Sequence, residues 1–113
     1  MSDLTIYGTT LSPFVRTVRM CLEEKEEAYR LYEYMPGSEE QKQEHPFGKV
    51  PAIRDADLHL YETLAICIYI DEEYTSDPQL QPRHAIEKAD MFQRISLYQD
   101  EGYPNISKGL VFP

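Results

Sequence analysis

The chain has 113 residues, of which 42% are hydrophobic and 12% aromatic, and its formal net charge at pH 7 is −9. This length and composition allow the core of one domain, or of one domain with part of a second, and exclude a disordered chain. Its 20 acidic residues outnumber 11 basic ones, and no basic stripe is present, so we expect neither nucleic acid nor a membrane as a partner.

The chain shows no targeting or metal-binding pattern. Its first residues lack the basic and apolar segments of a signal peptide, and no apolar run reaches membrane-spanning length. Cys21 and Cys67 lie in separate helical patterns, and His45, His59 and His84 are scattered, so we expect no metal site. We therefore predict a cytoplasmic, reducing setting in which both cysteines act as small buried hydrophobic residues.

The first third of the chain predicts a strand, a helix and a strand. Alternating residues over 3–8 predict a strand that ends at Gly8. Ser12 and Pro13 are preferred at the N-cap and at the first position of a helix, which we place at 13–27. Its predicted apolar side consists of Phe14, Val18, Cys21 and Leu22. Residues 29–35 are rich in strand formers.

The middle of the chain predicts a short helix, a hairpin and a buried helix. The polar stretch 38–44 suits a short surface helix. Residues 50–54 and 58–61 read as two strands joined by Asp55-Ala56-Asp57. Residues 62–74 are apolar nearly all round, which is typical of a buried helix.

The element order predicts an α/β fold, a thioredoxin-like βαβαββα sandwich, over residues 1–76. The polar, proline-bearing stretch 77–82 predicts a linker. Residues 83–100 carry spaced apolar residues and predict an amphipathic helix, whereas 102–113 contain helix breakers and show no clear period.

Two stretches predict a site for a small peptide. A cis bond between Val50 and Pro51, which costs only about 0.5–1 kcal/mol over trans, would leave the main chain of Val50 free to pair with an extended peptide. Glu62 and Thr63 stand where a helix begins, so backbone amides there attract a carboxylate and Glu62 can take an ammonium. Taken alone, each feature has a plainer explanation, which for Ser12 is a simple N-cap.

Four motifs in register resemble those of cytosolic glutathione transferases, and the likeness runs from about residue 3 to 74. They are Tyr7-Gly8 with Ser12-Pro13-Phe14-Val15-Arg16, Leu22-Glu23-Glu24-Lys25, His45-Pro46-Phe47-Gly48-Lys49-Val50-Pro51-Ala52-Ile53, and Glu62-Thr63-Leu64-Ala65-Ile66 with Tyr69-Ile70-Asp71. The likeness favours the branches that use an active-site serine.

The resemblance implies a role for each residue of the predicted site. Ser12 would be the catalytic residue, whose hydroxyl and helix start stabilise the thiolate of the co-substrate glutathione for attack on a hydrophobic electrophile. Tyr7 is the second candidate for this role. The glutathione-binding residues would be Lys49, Val50, Pro51, Glu62 and Thr63, with Lys49 near the glycyl carboxylate.

The sequence departs from the family's pattern at several positions. Thr63 replaces the usual serine, His45 an asparagine, and Ala56 the hairpin glycine, while Lys42 is a weak match to the basic residues of the second helix. Family members are longer, so 83–113 would begin a truncated all-helical domain that normally supplies the electrophile pocket and much of a homodimer contact. Two alternatives to a detoxifying enzyme remain open, a non-catalytic glutathione-binding module and a pure interaction adaptor.

Overall fold

The computed structural model describes residues 3–111, with side chains described up to residue 105. Residues 1–2 and 112–113, which belong to the first and last predicted regions, lie outside the described residues. The chain forms two compact units, Met1–Leu80 and Gln81–Pro113.

The first unit is the predicted βαβαββα sandwich. Its four-stranded sheet has the order β2-β1-β3-β4, in which β1 pairs parallel with β2 and the other neighbours are antiparallel. The strands are β1 (Thr5–Tyr7), β2 (Arg30–Tyr32), β3 (Ala52–Asp55) and β4 (Leu58–Tyr61), and the helices are α1 (Pro13–Glu24), α2 (Glu39–Lys42) and α3 (Thr63–Glu73).

The core lies between the sheet and the helices α1 and α3. Its buried members are Leu4, Ile6, Val15, Val18, Leu22, Ile53, Ile66 and Ile70. The predicted apolar side of α1 was partly wrong, because Val15 rather than Phe14 is fully buried. Val15, Val18 and Leu22 are three and four residues apart, so they share one face of the helix.

Two other expectations need correction. Helix α1 ends at Glu24 instead of residue 27, and Lys25 turns into the protein, where its side chain is almost fully buried. The predicted short surface helix is confirmed only over Glu39–Lys42, and in this stretch Gln41 and Glu44 are buried rather than exposed. The Glu44 carboxylate accepts hydrogen bonds from Arg54 Nε, at 2.7 and 3.1 Å, which attach the end of α2 to β3.

The hairpin is attached to α3 through Asp55. Its carboxylate accepts hydrogen bonds from the hydroxyls of Tyr69, at 2.6 Å, and Tyr74, at 2.5 Å. Burial, and after it the hydrogen bond to Asp55, raise the pKa of Tyr69. These contacts help to fix where α3 begins relative to β3 and β4.

The second unit contains α4 (Ala85–Leu97) and a π-helical segment, Tyr98–Val111. The expectation of an irregular end beyond residue 102 was wrong, because the helical path continues through Gly102 and Pro104. Helix α4 has no buried residue, and Ile86 is 85% exposed. Among the described residues, no helix combines the length and apolarity needed to cross a bilayer.

Candidate functional site

Ser12 caps the first helix, as its position before Pro13 predicted. Its Oγ accepts hydrogen bonds from the backbone amides of Phe14, at 3.1 Å, and Val15, at 3.3 Å. The side chain is half-buried and has extended backbone angles, which are typical of an N-cap. The hydroxyl therefore lies at the positive end of α1.

The loop before Ser12 is held in place by several hydrogen bonds. The Ser12 amide donates to Thr9 O at 3.1 Å. The amide and hydroxyl of Thr10 both donate to Glu33 Oε1, at 2.9 and 2.6 Å, and these bonds lower the pKa of Glu33. The position of the Ser12 hydroxyl is thus set by contacts on both sides of it.

The absence of a side chain at Gly8 allows α1 and the Val50 loop to approach each other. A Cβ on Gly8 would lie 2.7 Å from Val15 Cγ2 and 3.1 Å from Val50 Cβ, closer than real Cβ atoms normally come. Val15 belongs to the first turn of α1, which Ser12 caps. The structure therefore brings the start of that helix next to Val50.

The peptide bond between Val50 and Pro51 is cis, as is that between Asp77 and Pro78. Pro51 is buried, Val50 half-buried and Lys49 exposed. The loop is anchored by Gln41 Nε2, which donates to Lys49 O at 2.8 Å and to Tyr7 O at 3.2 Å. Outside helices and strands, the described chain has no backbone hydrogen bond that involves Val50.

Glu62 and Thr63 lie at the start of α3, as predicted. Glu62 has φ 80° and ψ 121°, a region that a residue with a side chain occupies at a cost of order 1–3 kcal/mol. Within the described part of the chain no side chain caps α3, whereas Ser12 and Ser38 cap α1 and α2. The first amides of α3 are therefore without the side-chain partner that the other two helices of the sandwich have.

His45 is a site residue for which the sequence predicted no role. It is 3% exposed, and its Nε2 lies 3.2 Å from Glu62 Oε2. Its Nδ1 accepts a hydrogen bond from the Phe47 amide at 3.0 Å. The replacement of the family's asparagine was a visible signal, but the burial and the contact with Glu62 depend on the fold.

Two weaker candidates have other contacts. Tyr7 packs against Tyr32 and Tyr34, each with ring centroids 5.7 Å away, and burial raises its pKa. Lys42 lies 3.6 Å from Glu39 on the exposed side of α2. Among the described residues, no group of three or more His, Cys, Asp or Glu could hold a metal ion.

Comparison with known proteins identifies the family. Residues 6–79 match the family model of the glutathione S-transferase N-terminal domain. The chain belongs to the glutathione S-transferase family. The matched region covers the whole sandwich apart from the residues before Ile6, including the loops that carry Ser12, Val50 and Glu62.

Individual members of the glutathione S-transferase family agree with this assignment. The chain is 40% identical over 78 residues to a probable glutathione S-transferase, GSTF2, from Oryza sativa, a match that covers 62% of this chain and 35% of the rice protein. The Tau class enzyme from mango superposes with a TM-score of 0.84 at 28% identity, over 90% of this chain and 48% of the other.

A third glutathione S-transferase is the theta class protein from the citrus canker pathogen Xanthomonas axonopodis, solved with glutathione bound. It has a TM-score of 0.76 and 28% identity, and the match covers 89% of this chain and 50% of the other. The chain thus spans about a third of the length of the rice relative and about half of each solved chain.

Proposed function

We propose that this chain binds glutathione and that Ser12 stabilises the glutathione thiolate for attack on a hydrophobic electrophile. Glutathione would be the co-substrate, held by Lys49, Val50, Pro51, Glu62 and Thr63, and no metal would take part. The solved Xanthomonas relative with bound glutathione supports this choice of ligand. The whole protein would act in detoxification in the cytoplasm, as a homodimer.

The observation that carries the proposal is that Val15 and Val50 both lie close to the position that a Cβ on Gly8 would occupy. It explains how a hydroxyl at a helix start and the main chain of Val50 could bind one ligand. An extended cysteinyl residue paired with Val50 would point its thiol toward the start of α1. Binding in this position requires an available hydrogen-bond donor at Ser12 and suitable charges at the two ends of the tripeptide.

The hydroxyl of Ser12 can act as a cap and as a donor at once. A serine hydroxyl has two acceptor lone pairs and one proton. The amides of Phe14 and Val15 use the acceptor side, so the proton remains for a hydrogen bond to sulfur. A thiol of pKa about 8.5 is mostly neutral at pH 7, and a donor at the positive end of a helix lowers that value by stabilising the thiolate.

The start of α3 has the charges needed for an amino acid head group. The amides of Thr63 and its neighbours have no capping side chain, so a carboxylate could take that place. The Glu62 side chain is 71% exposed, and its carboxylate could accept the ammonium. Lys49 is exposed next to Val50 and could pair with the glycyl carboxylate at the other end of the tripeptide.

The proposal is tested by titration calorimetry with glutathione, followed by turnover of a chromogenic electrophile. Ser12→Ala should retain glutathione but lose thiolate, measured by ultraviolet absorbance of the bound thiol against pH. Ser12→Asp provides a matched control, because it keeps the cap but has no proton to donate at neutral pH. We expect Ser12→Ala alone to lose about 0.5–2 kcal/mol of stability, and both variants to raise the thiol pKa.

The outcomes separate the possible functions. Equal thiol pKa values and equal turnover in wild type and both variants would remove Ser12 from the mechanism. Glutathione binding without turnover would favour a non-catalytic binding module. No glutathione binding by the wild type would leave an interaction adaptor and would contradict the proposed site as a whole.

A further inference from the structure

We propose that His45 is a positioning residue, whose neutral imidazole donates a hydrogen bond to Glu62 and orients that carboxylate for the ammonium of the ligand. This inference rests on the proposed function. It adds His45, a residue outside the predicted site, at a position where this chain differs from its family's usual asparagine.

The hydrogen bonds of His45 define its tautomer. The Phe47 amide is a donor only, so Nδ1, 3.0 Å from it, must accept and cannot carry a proton. A neutral imidazole then carries its proton on Nε2, which lies 3.2 Å from Glu62 Oε2. The ring therefore donates to Glu62 without adding a positive charge, and the negative charge of Glu62 stays available to an ammonium.

His45 is buried and fixed, whereas Glu62 is exposed and can adopt several rotamers, so their hydrogen bond can orient Glu62 before the ligand binds. His45 is 3% exposed, and its ring packs on Tyr61 with centroids 4.6 Å apart. Glu62 is 71% exposed, and a glutamate with that exposure loses substantial rotamer entropy when a ligand orders it. A buried donor that already holds Oε2 removes part of this cost before binding, and Oε1 remains open to the ligand.

Among the residues whose side chains are described, Glu62 is the only charged partner within ion-pair distance of His45 Nε2. Tyr61 contributes an uncharged ring, tilted by 49° to the imidazole, and the carboxylate of Glu44, the residue before His45, is paired with Arg54. His59 of β4 has its own acceptor, Glu44 O, at 2.7 Å from its Nε2. His59 thus offers a matched control, because its ring also lies near Tyr61, with centroids 6.3 Å apart.

The tautomer is tested by long-range proton–nitrogen correlation spectra of the wild-type chain at neutral pH. The three histidines are assigned by substituting each in turn. We expect His45 to show a protonated Nε2 and an unprotonated Nδ1, and its Nε2 signal to move when glutathione saturates the site. A proton on Nδ1, a doubly protonated ring, or an Nε2 signal that saturating glutathione leaves unmoved would overturn the proposal.

Positioning is tested by calorimetry on His45→Phe, His45→Asn and Glu62→Gln. We expect His45→Phe, which keeps an aromatic ring, to weaken glutathione binding about 5- to 20-fold, and His59→Phe to leave it unchanged. Asparagine can accept from the amide two residues on and donate through its amide group, so His45→Asn should restore most of the loss. The double variant His45→Phe/Glu62→Gln should bind no more weakly than Glu62→Gln alone.

The outcomes distinguish a failure of the inference about His45 from a failure of the proposed glutathione binding. If the wild type binds glutathione and the losses of His45→Phe and Glu62→Gln simply multiply, His45 is only structural and the inference is wrong. If the wild type does not bind glutathione, the proposed function fails, and the inference that rests on it fails as well. If His45→Phe does not fold, the wild-type Nε2 signal and the His45→Asn titration still decide.

Discussion

The ammonium of Lys25 lies 3.1 Å from Asp71 Oδ1, with side chains only 1% and 2% exposed. The pair joins the end of α1 to α3, and it also reaches the segment after α3. Lys25 Nζ donates to Ser76 O at 3.1 Å, and Asp71 Oδ1 accepts from the Leu80 amide at 2.8 Å. One buried ion pair therefore connects the two helices whose N-cap positions are Ser12 and Glu62.

Removing one partner of this pair should be strongly destabilising, because the other charge stays buried. We expect Asp71→Leu to lower the free energy of unfolding by about 3–5 kcal/mol, measured by urea unfolding. Lys25→Met/Asp71→Leu should lose clearly less than the two single variants together, since no unpaired charge remains. The exposed neighbour variant Glu72→Ala should change stability by less than about 0.5 kcal/mol. Additive losses would show that the pair is not coupled.

The two cysteines should differ in reactivity. Cys21 of α1 and Cys67 of α3 are joined by a hydrogen bond, which lowers the pKa of the Cys21 thiol, whereas that bond and burial raise the pKa of Cys67. We therefore expect iodoacetamide to modify Cys21 first, followed by peptide mass spectrometry. Its rate should rise with pH around a midpoint below the ordinary thiol value of about 8.5.

The control is Cys67→Ala, which removes the donor to the Cys21 sulfur. In this variant, Cys21 should react more slowly at neutral pH, and the midpoint of its rate against pH should move upward toward the ordinary thiol value. Equal modification rates of the two cysteines in the wild type, or an unchanged midpoint in Cys67→Ala, would contradict the assignment of donor and acceptor.

Local signals in the sequence predicted most of the first unit, because they act over a few residues. Ser12-Pro13 marked the start of α1, and Asp55-Ala56-Asp57 marked the hairpin, since cap and turn preferences need no distant partner. The family's motifs indicated the cis bond at Pro51. That Val15 and Val50 come together at Gly8, next to this bond, could be seen only in the fold.

The failures concern residues whose state depends on distant partners. Gln41 lies in a polar stretch, yet its side-chain amide is buried, because it donates hydrogen bonds to the carbonyl oxygens of Tyr7 and Lys49. Helix α1 was predicted three residues too long, because the local sequence does not reveal that Lys25 pairs with the distant Asp71. Polar composition alone does not distinguish an exposed side chain from a buried one that has its hydrogen bonds satisfied.

The hairpin offers a stabilising substitution. Ala56 has φ 52°, in the left-handed region, where a side chain costs roughly 1–2 kcal/mol. Ala56→Gly should remove this strain and, after the entropy of the unfolded chain is subtracted, stabilise the protein by about 0.5–1 kcal/mol in urea unfolding. Ala28→Gly is the matched control in an exposed loop without positive φ, where the same change should destabilise. A destabilised Ala56→Gly would show that the turn holds alanine without strain.

Gln41 should show whether the loop around Val50 depends on a buried amide. Its side chain is fully buried. Nε2 donates hydrogen bonds to the carbonyl oxygens of Lys49 and Tyr7, and Oε1 has no partner among the described residues. Gln41→Met removes one hydrogen-bond donor from each of the two carbonyls, so we expect a loss of about 1–3 kcal/mol that does not vary with pH.

Gln41→Glu should lose stability in a pH-dependent way, because burial against two carbonyl oxygens raises the pKa of the new carboxyl. Below the unfolded value of about 4.3, the carboxyl is protonated in both states and can donate to Lys49 O, so the loss is smallest there. The loss grows as pH rises from that value to the raised pKa of the folded state, above which the charge itself is buried. Urea unfolding across this range should therefore separate Gln41→Glu from Gln41→Met, with exposed Gln43→Glu as the control. Parallel curves for Gln41→Glu and the control would show that the amide of Gln41 does not hold the loop.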